Sequence, residues 1–146
     1  MKILCLSDLH QRMTDISDVI HQRRFTPFLQ SIRDLVEDTR PDVAVVTGDT
    51  VPTPYVSSLN AFFGNLFPSE LPVVATLGNH EFWARPFEET LENVRNQNAE
   101  APNVHILDAE PSVEALARYS VPREVTCSVL KWETVLGSLV ATPKVP

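Results

Sequence analysis

Apolar residues in this chain gather into short runs, and the first three runs each lead into a polar cluster. The runs are Lys2 to Leu6, Val43 to Thr47 and Val73 to Leu77, rich in Val, Ile and Leu and bounded by turn residues. Such runs predict buried strands. Between the first two, Phe25, Phe28, Leu29, Ile32, Leu35 and Val36 recur at helical spacing with polar residues between them, and Pro41 follows as a stop signal. A second helix is predicted over residues 56–67, carrying Leu59, Phe62, Phe63 and Leu66. A third is predicted from about Pro86 to Gln97, with Glu88 and Glu89 in its first turn, where the helix dipole favours them. Asn103 to Leu107 reads as a fourth strand, and His10 to about Arg23 as a polar loop. The order β-α-β-α-β-α-β argues for an α/β fold with a parallel sheet and right-handed crossovers. Beyond Pro111 the pattern changes. Residues 113–119 suit a short helix, 125–132 a strand, and 141–146 a frayed end.

Composition narrows this picture. A chain of 146 residues suits one domain, able to bury roughly 70% of its unfolded surface. The net charge is −7 and the pI about 5.0, with no Lys/Arg run that would mark a nucleic-acid footprint. An acidic chain repels phosphate at long range, so a phosphate ligand calls for bound cations. Cys5 lies inside the first apolar run and reads as a buried small hydrophobe, which points to a reducing, cytoplasmic setting. The apolar start is too short for a signal peptide and is interrupted by Asp8, and no run has the length of a membrane span.

The three polar clusters are Asp8-Leu9-His10, Gly48-Asp49 and Gly78-Asn79-His80-Glu81. Each falls where a strand gives way to a loop. In an open α/β sheet those ends lie on one edge, where ligands bind. The topology therefore brings Asp8, His10, Asp49, Asn79 and His80 together despite their separation in sequence. Carboxylate oxygens and imidazole nitrogens suit Mn, Fe or Zn, and carboxylates with waters also suit Mg. An aspartate has lone pairs enough to bridge two ions, and the Asn79 amide oxygen is a neutral ligand. A second imidazole, His80, is placed to protonate a leaving oxygen. Gly48 and Gly78 follow strands, where glycine allows positive φ or close backbone approach.

These motifs, in this order, resemble the N-terminal half of the calcineurin-like metallophosphoesterases, which carry Asp-x-His, then Gly-Asp, then Gly-Asn-His-Glu or Gly-Asn-His-Asp after successive strands. A given tetrapeptide arises by chance in roughly one chain in a thousand of this length, and here it follows two further motifs in the family order. The resemblance covers about residues 1–110 and leaves 111–146 as a divergent tail, not a separate domain. It implies a partial four-layer αββα sandwich, a mostly parallel sheet with flanking helices. It assigns Asp8 and His10 to a first metal, Asp49 to a bridge between two metals, Asn79 to the second metal, and His80 to the phosphate and leaving group. Glu81 would orient its neighbours without ligating. The family's later Gly-His and Gly-His-x-His motifs are absent, and after His80 the sequence holds one histidine, His105. The first metal thus lacks one family ligand and the second keeps Asp49 and Asn79, so one ion or none is as consistent with the sequence as the family's two.

Each residue also has a plainer reading. Asp8 and His10 alone would be loop residues, and Gly-Asp is a common turn pair. His80 would be a histidine at a helix entry. His21 suits a solvated surface, His105 a packed strand position, and Trp83 either a pocket wall or a loop–helix junction. No G-x-G-x-x-G, G-K-[ST] or G-x-S-x-G is present, which argues against a dinucleotide fold, a P-loop NTPase and a serine hydrolase. Two expectations remain. One is a metal-dependent hydrolase of phosphomono- or diesters. The other is a truncated product or pseudoenzyme, with a protein partner or a second copy covering an exposed sheet face.

Overall fold

The computed structural model describes residues 1–96 and 101–109 and, as backbone, the strand 126–131. The elements run β1 (Lys2–Ser7), α1 (Met13–Ile20), α2 (Pro27–Thr39), β2 (Val43–Thr47), a 3-10 helix (Thr53–Ser58), α3 (Leu59–Leu66), β3 (Val73–Thr76), α4 (Asn79–Phe82), α5 (Phe87–Arg95), β4 (Val104–Ile106) and β5 (Thr126–Lys131). The strands form one sheet in the order β4-β3-β2-β1-β5, and every pairing is parallel.

That order decides where the helices lie. The path β1 to β2 to β3 to β4 steps in one direction throughout. Right-handed crossovers then put all the intervening helices on a single face. Burial agrees. Leu4 and Leu6, Ala44 and Val46, Val73 and Ala75, Val104 and Ile106 alternate along their strands and join the same core as Ile16, Val19, Leu29, Ile32, Phe62, Phe63 and Leu66 of the helices. The residues between them, Ile3, Cys5, Val43, Val45 and Val74, point to the opposite face, and Cys5 there is half-buried where the sequence suggested full burial. The described residues thus form an α/β layer, a parallel sheet with flanking helices, as the resemblance implies.

The first helix predicted from the sequence is α2. Thr26 caps it, its hydroxyl accepting from Leu29 N at 3.3 Å, and Pro27 occupies the first turn, where its missing N–H is harmless. Arg40 ends it in the left-handed region at φ 46°. The predicted loop after residue 10 instead contains α1. Met13, Ile16, Val19 and Ile20 put an apolar stripe on this short helix, and Ile16 and Val19 are fully buried. His21, expected on the surface, is exposed there and its ring lies 2.7 Å from the Ser17 carbonyl at the end of α1. The helix predicted over 56–67 divides into the 3-10 turn and α3, because Pro52 and Pro54 shape its approach. A strand near 125–132 is present as β5. The helix and frayed end expected at 113–119 and 141–146 lie outside the described residues.

Candidate metal centre

The carboxyl ends of β1, β2 and β3 open onto the three polar clusters. Three residues there leave the usual backbone regions: Asp8 at φ 53°, His10 at 42° and Asp49 at 51°, with Gly48 beside them at 65°. Left-handed backbone costs a non-glycine residue about 1–2 kcal/mol, least for short polar side chains. The surroundings hold it in place. His10 N donates to Asp49 O and Gln11 N to Thr50 O, both at 2.9 Å, so the two loops stay paired beyond the strands. Leu9, 1% exposed, anchors the first loop in the core while its neighbours Asp8 and His10 point outward.

The second and third loops are joined by glycine contact and by one buried carboxylate. A Cβ on Gly48 would stand 3.0 Å from Gly78 Cα, and one on Gly78 would stand 2.8 Å from Asp49 Cγ and closer still to Asp49 N and Oδ1. Only glycine permits that approach. Glu81 is 1% exposed and accepts four backbone N–H bonds. Its Oε1 takes Thr50 N at 2.7 Å and Val51 N at 2.9 Å. Its Oε2 takes Gly78 N at 2.8 Å and Asp49 N at 3.1 Å. A negative charge thus replaces water for four donors in two loops. Thr53, which sequence reasoning passed over, adds a second clamp. Its hydroxyl donates to the His80 carbonyl at 3.0 Å and accepts from Ala84 N at 3.2 Å.

On this frame sit the candidate ligands. His10, Asp49 and His80 each offer one ligand atom, and these atoms lie within 4.8 Å of one another. Atoms sharing one ion at about 2.1 Å stand at most about 4.2 Å apart, so small adjustments bring two of these atoms onto a cation with the third beside it. Asp8 Oδ1 lies 3.8 Å from His10 Nε2, and Asp8 Oδ2 accepts from the Ser7 hydroxyl. Asp8 joins the cluster through His10 and is not part of the tight triplet. Asp49 Oδ1 accepts from His80 N at 3.0 Å, and Asp49 Oδ2 lies 3.2 Å from the Asn79 amide. Among the described residues no Lys or Arg ion-pairs with Asp8 or Asp49. Two uncompensated carboxylates with two imidazoles are a donor set that fits a divalent cation.

His80 is fixed on several sides. Its ring meets His10 edge to face, with centroids 4.5 Å apart and planes at 61°, and it lies against Trp83 at 3.7 Å and 33°. Trp83 is 69% exposed, so its role here is contact with the site and not core packing. His105 lies in β4, separated from β1 by β3 and β2, and among the described residues no cluster of ligand atoms includes it. A groove of about 700 Å³, lined by Arg33, Glu37, Arg40 and Glu70 among others, opens at the amino end of β2 and β3 and contains none of the cluster.

A family model described as calcineurin-like phosphoesterase matches residues 1–136, and the chain belongs to that family. The matched span takes in β5 as well as the three motif-bearing loops. Comparison with curated proteins and with solved structures returned no match. No helix among the described residues is long and apolar enough to cross a membrane.

Proposed function

We propose that this chain is a metal-dependent hydrolase of phosphate esters, acting at the carboxyl rim of its sheet. The observation that carries the reading is the convergence of His10, Asp49 and His80 from three separate strand ends to within 4.8 Å. Asp8, His10 and Asp49 would hold a first divalent cation, of the Mn, Fe, Zn or Mg kind, and Asp49 with Asn79 would hold a second. Such ions supply charge that grips a phosphoryl group and makes water a better nucleophile. The protein supplies the rest. Asp49 would serve both positions, and the Gly48–Gly78 contact and Glu81 steady the loop that carries it. His80 gives a proton to the departing oxygen, and its backbone is tied to Asp49 and Thr53 so that the ring approaches from a constant direction.

The second position has the fewer ligands. Asp49 and Asn79 are its candidates among the described residues, and this favours a weakly held second ion and slow turnover. The same observation supports a second reading, a protein that binds one cation and phosphate without turning over substrate. Hydrolysis of an aryl phosphate monoester and diester with added Mn²⁺ separates the two. Turnover lost on Asp49→Asn supports the hydrolase. A stably bound ion with no turnover of either ester supports the binding protein, and no bound ion with no turnover removes both.

A further inference from the structure

The Asn79 amide stands between two groups that demand opposite things of it. Asp49 Oδ2 is an acceptor and the Trp83 indole nitrogen is a donor. Hydrogen bonding favours the amide with its nitrogen toward Asp49 and its oxygen toward Trp83, since that orientation alone allows two hydrogen bonds, of 3.2 and 3.0 Å. Turned through 180° it makes neither, because oxygen then opposes oxygen and nitrogen opposes nitrogen. A cation shared by Asp49 and Asn79 inverts this preference. It takes the amide oxygen and repels the amide N–H groups. The cation and the Trp83 N–H therefore compete for one oxygen atom.

Trp83 is free to yield. It is 69% exposed, and among the described residues its ring lies against His80 with its indole nitrogen 3.0 Å from the Asn79 amide. Moving it opens nothing in the core. We infer that Trp83 is a positioning residue for the second metal position: its indole N–H holds the Asn79 oxygen away from Asp49, and loading of that position turns the amide and releases the indole from His80. This rests on the reading of Asp49 and Asn79 as ligands. Linkage makes the effect reciprocal, so whatever the cation does to the indole contact, the contact does to cation affinity. The device also couples the two ends of the site, since the ring that leaves Asn79 is the ring that lies against His80.

The test uses the full chain and Zn²⁺, which neither quenches fluorescence strongly nor changes oxidation state. Trp83→Phe keeps an aromatic ring against His80 and removes the N–H. Calorimetric titration is expected to show the weaker of two Zn²⁺ affinities rising roughly threefold to tenfold in Trp83→Phe, the worth of one ordinary hydrogen bond, with the stronger one unchanged. Trp83→Leu removes ring and N–H together and is expected to show the same gain. In a Trp132→Phe background, where Trp83 is the sole tryptophan, its emission is expected to shift to the red as the second ion binds. Equal second-ion affinity in the parent and Trp83→Phe overturns the inference and leaves the metal site standing. So does a gain in Trp83→Leu alone, which would assign the effect to the ring. Binding of one ion or none by all three proteins overturns the shared Asp49–Asn79 position and this inference with it.

Discussion

Replacing Glu81 by Gln changes one oxygen for an NH₂ group and leaves the volume of the side chain unchanged, so it isolates the carboxylate's role. Each carboxylate oxygen serves two backbone donors, Thr50 and Val51 on one side and Gly78 and Asp49 on the other. A glutamine oxygen can serve one of these pairs. Its NH₂ must then face the other pair, donor against donor. Two buried N–H groups lose their acceptor, at about 1–3 kcal/mol each, and the two that remain lose the assistance of a full charge. The expected loss is about 3–6 kcal/mol, a large share of the roughly 5–15 kcal/mol that a domain has in total. In urea, with a slope of about 2 kcal/mol per molar for a chain of this size, the unfolding midpoint is expected to fall by roughly 2 M. Metal affinity should fall with it, because Asp49 and Gly78 are two of the four donors. A midpoint within about 0.5 M of the parent, or unchanged metal affinity, would refute the assignment of Glu81 as the tie between the two loops.

Two further outcomes follow from the same geometry. Gly78→Ala drives a methyl group into the Asp49 backbone and side chain, so it is expected to cost about 1–3 kcal/mol in urea unfolding and to abolish measurable Zn²⁺ binding; a variant that binds Zn²⁺ like the parent would show that the two loops are not in contact. Arg40→Gly relieves a left-handed residue at φ 46° and is expected to stabilise by about 0.5–1 kcal/mol, raising the melting temperature by about 1–3 °C by calorimetry; a lower melting temperature contradicts that geometry.

Much of the fold is legible in the residue pattern because β1, β2, β3 and the helix α2 are long enough, or β-branched enough, to carry their own period. Ala44, Val46, Val73 and Ala75 face the helices while their neighbours face away, as alternation requires. The helix α1 escaped because its apolar stripe is four residues in eight, shorter than the window in which helical period stands out. Polar residues between Met13 and Ile20 made the segment read as loop. At the site, Asp8, His10, Asp49, Asn79 and His80 stand out as candidates from their place after three strands. Their arrangement was not. Glu81 reaches donors some thirty residues earlier, and no local pattern marks that. Glycine after a strand allows positive φ or close approach, and Gly48 and Gly78 divide these uses: Gly48 supplies the positive φ, while both stand in the close contact. The tie between Asn79 and Trp83 depends on which end of an amide faces which neighbour, and a sequence holds no signal for that.

At the ends of β1 and β2, His10 and Asp49 are proposed to hold a divalent cation. Imidazole ¹⁵N spectra of the histidine-labelled protein test it most directly, because a nitrogen that binds zinc shifts far from its free position. On addition of Zn²⁺, one ring nitrogen of His10 is expected to move while His21 and His105 stay in place, and Asp49→Asn is expected to abolish the movement. A His10 signal that stays fixed at saturating Zn²⁺, or that moves equally in Asp49→Asn, would contradict the account.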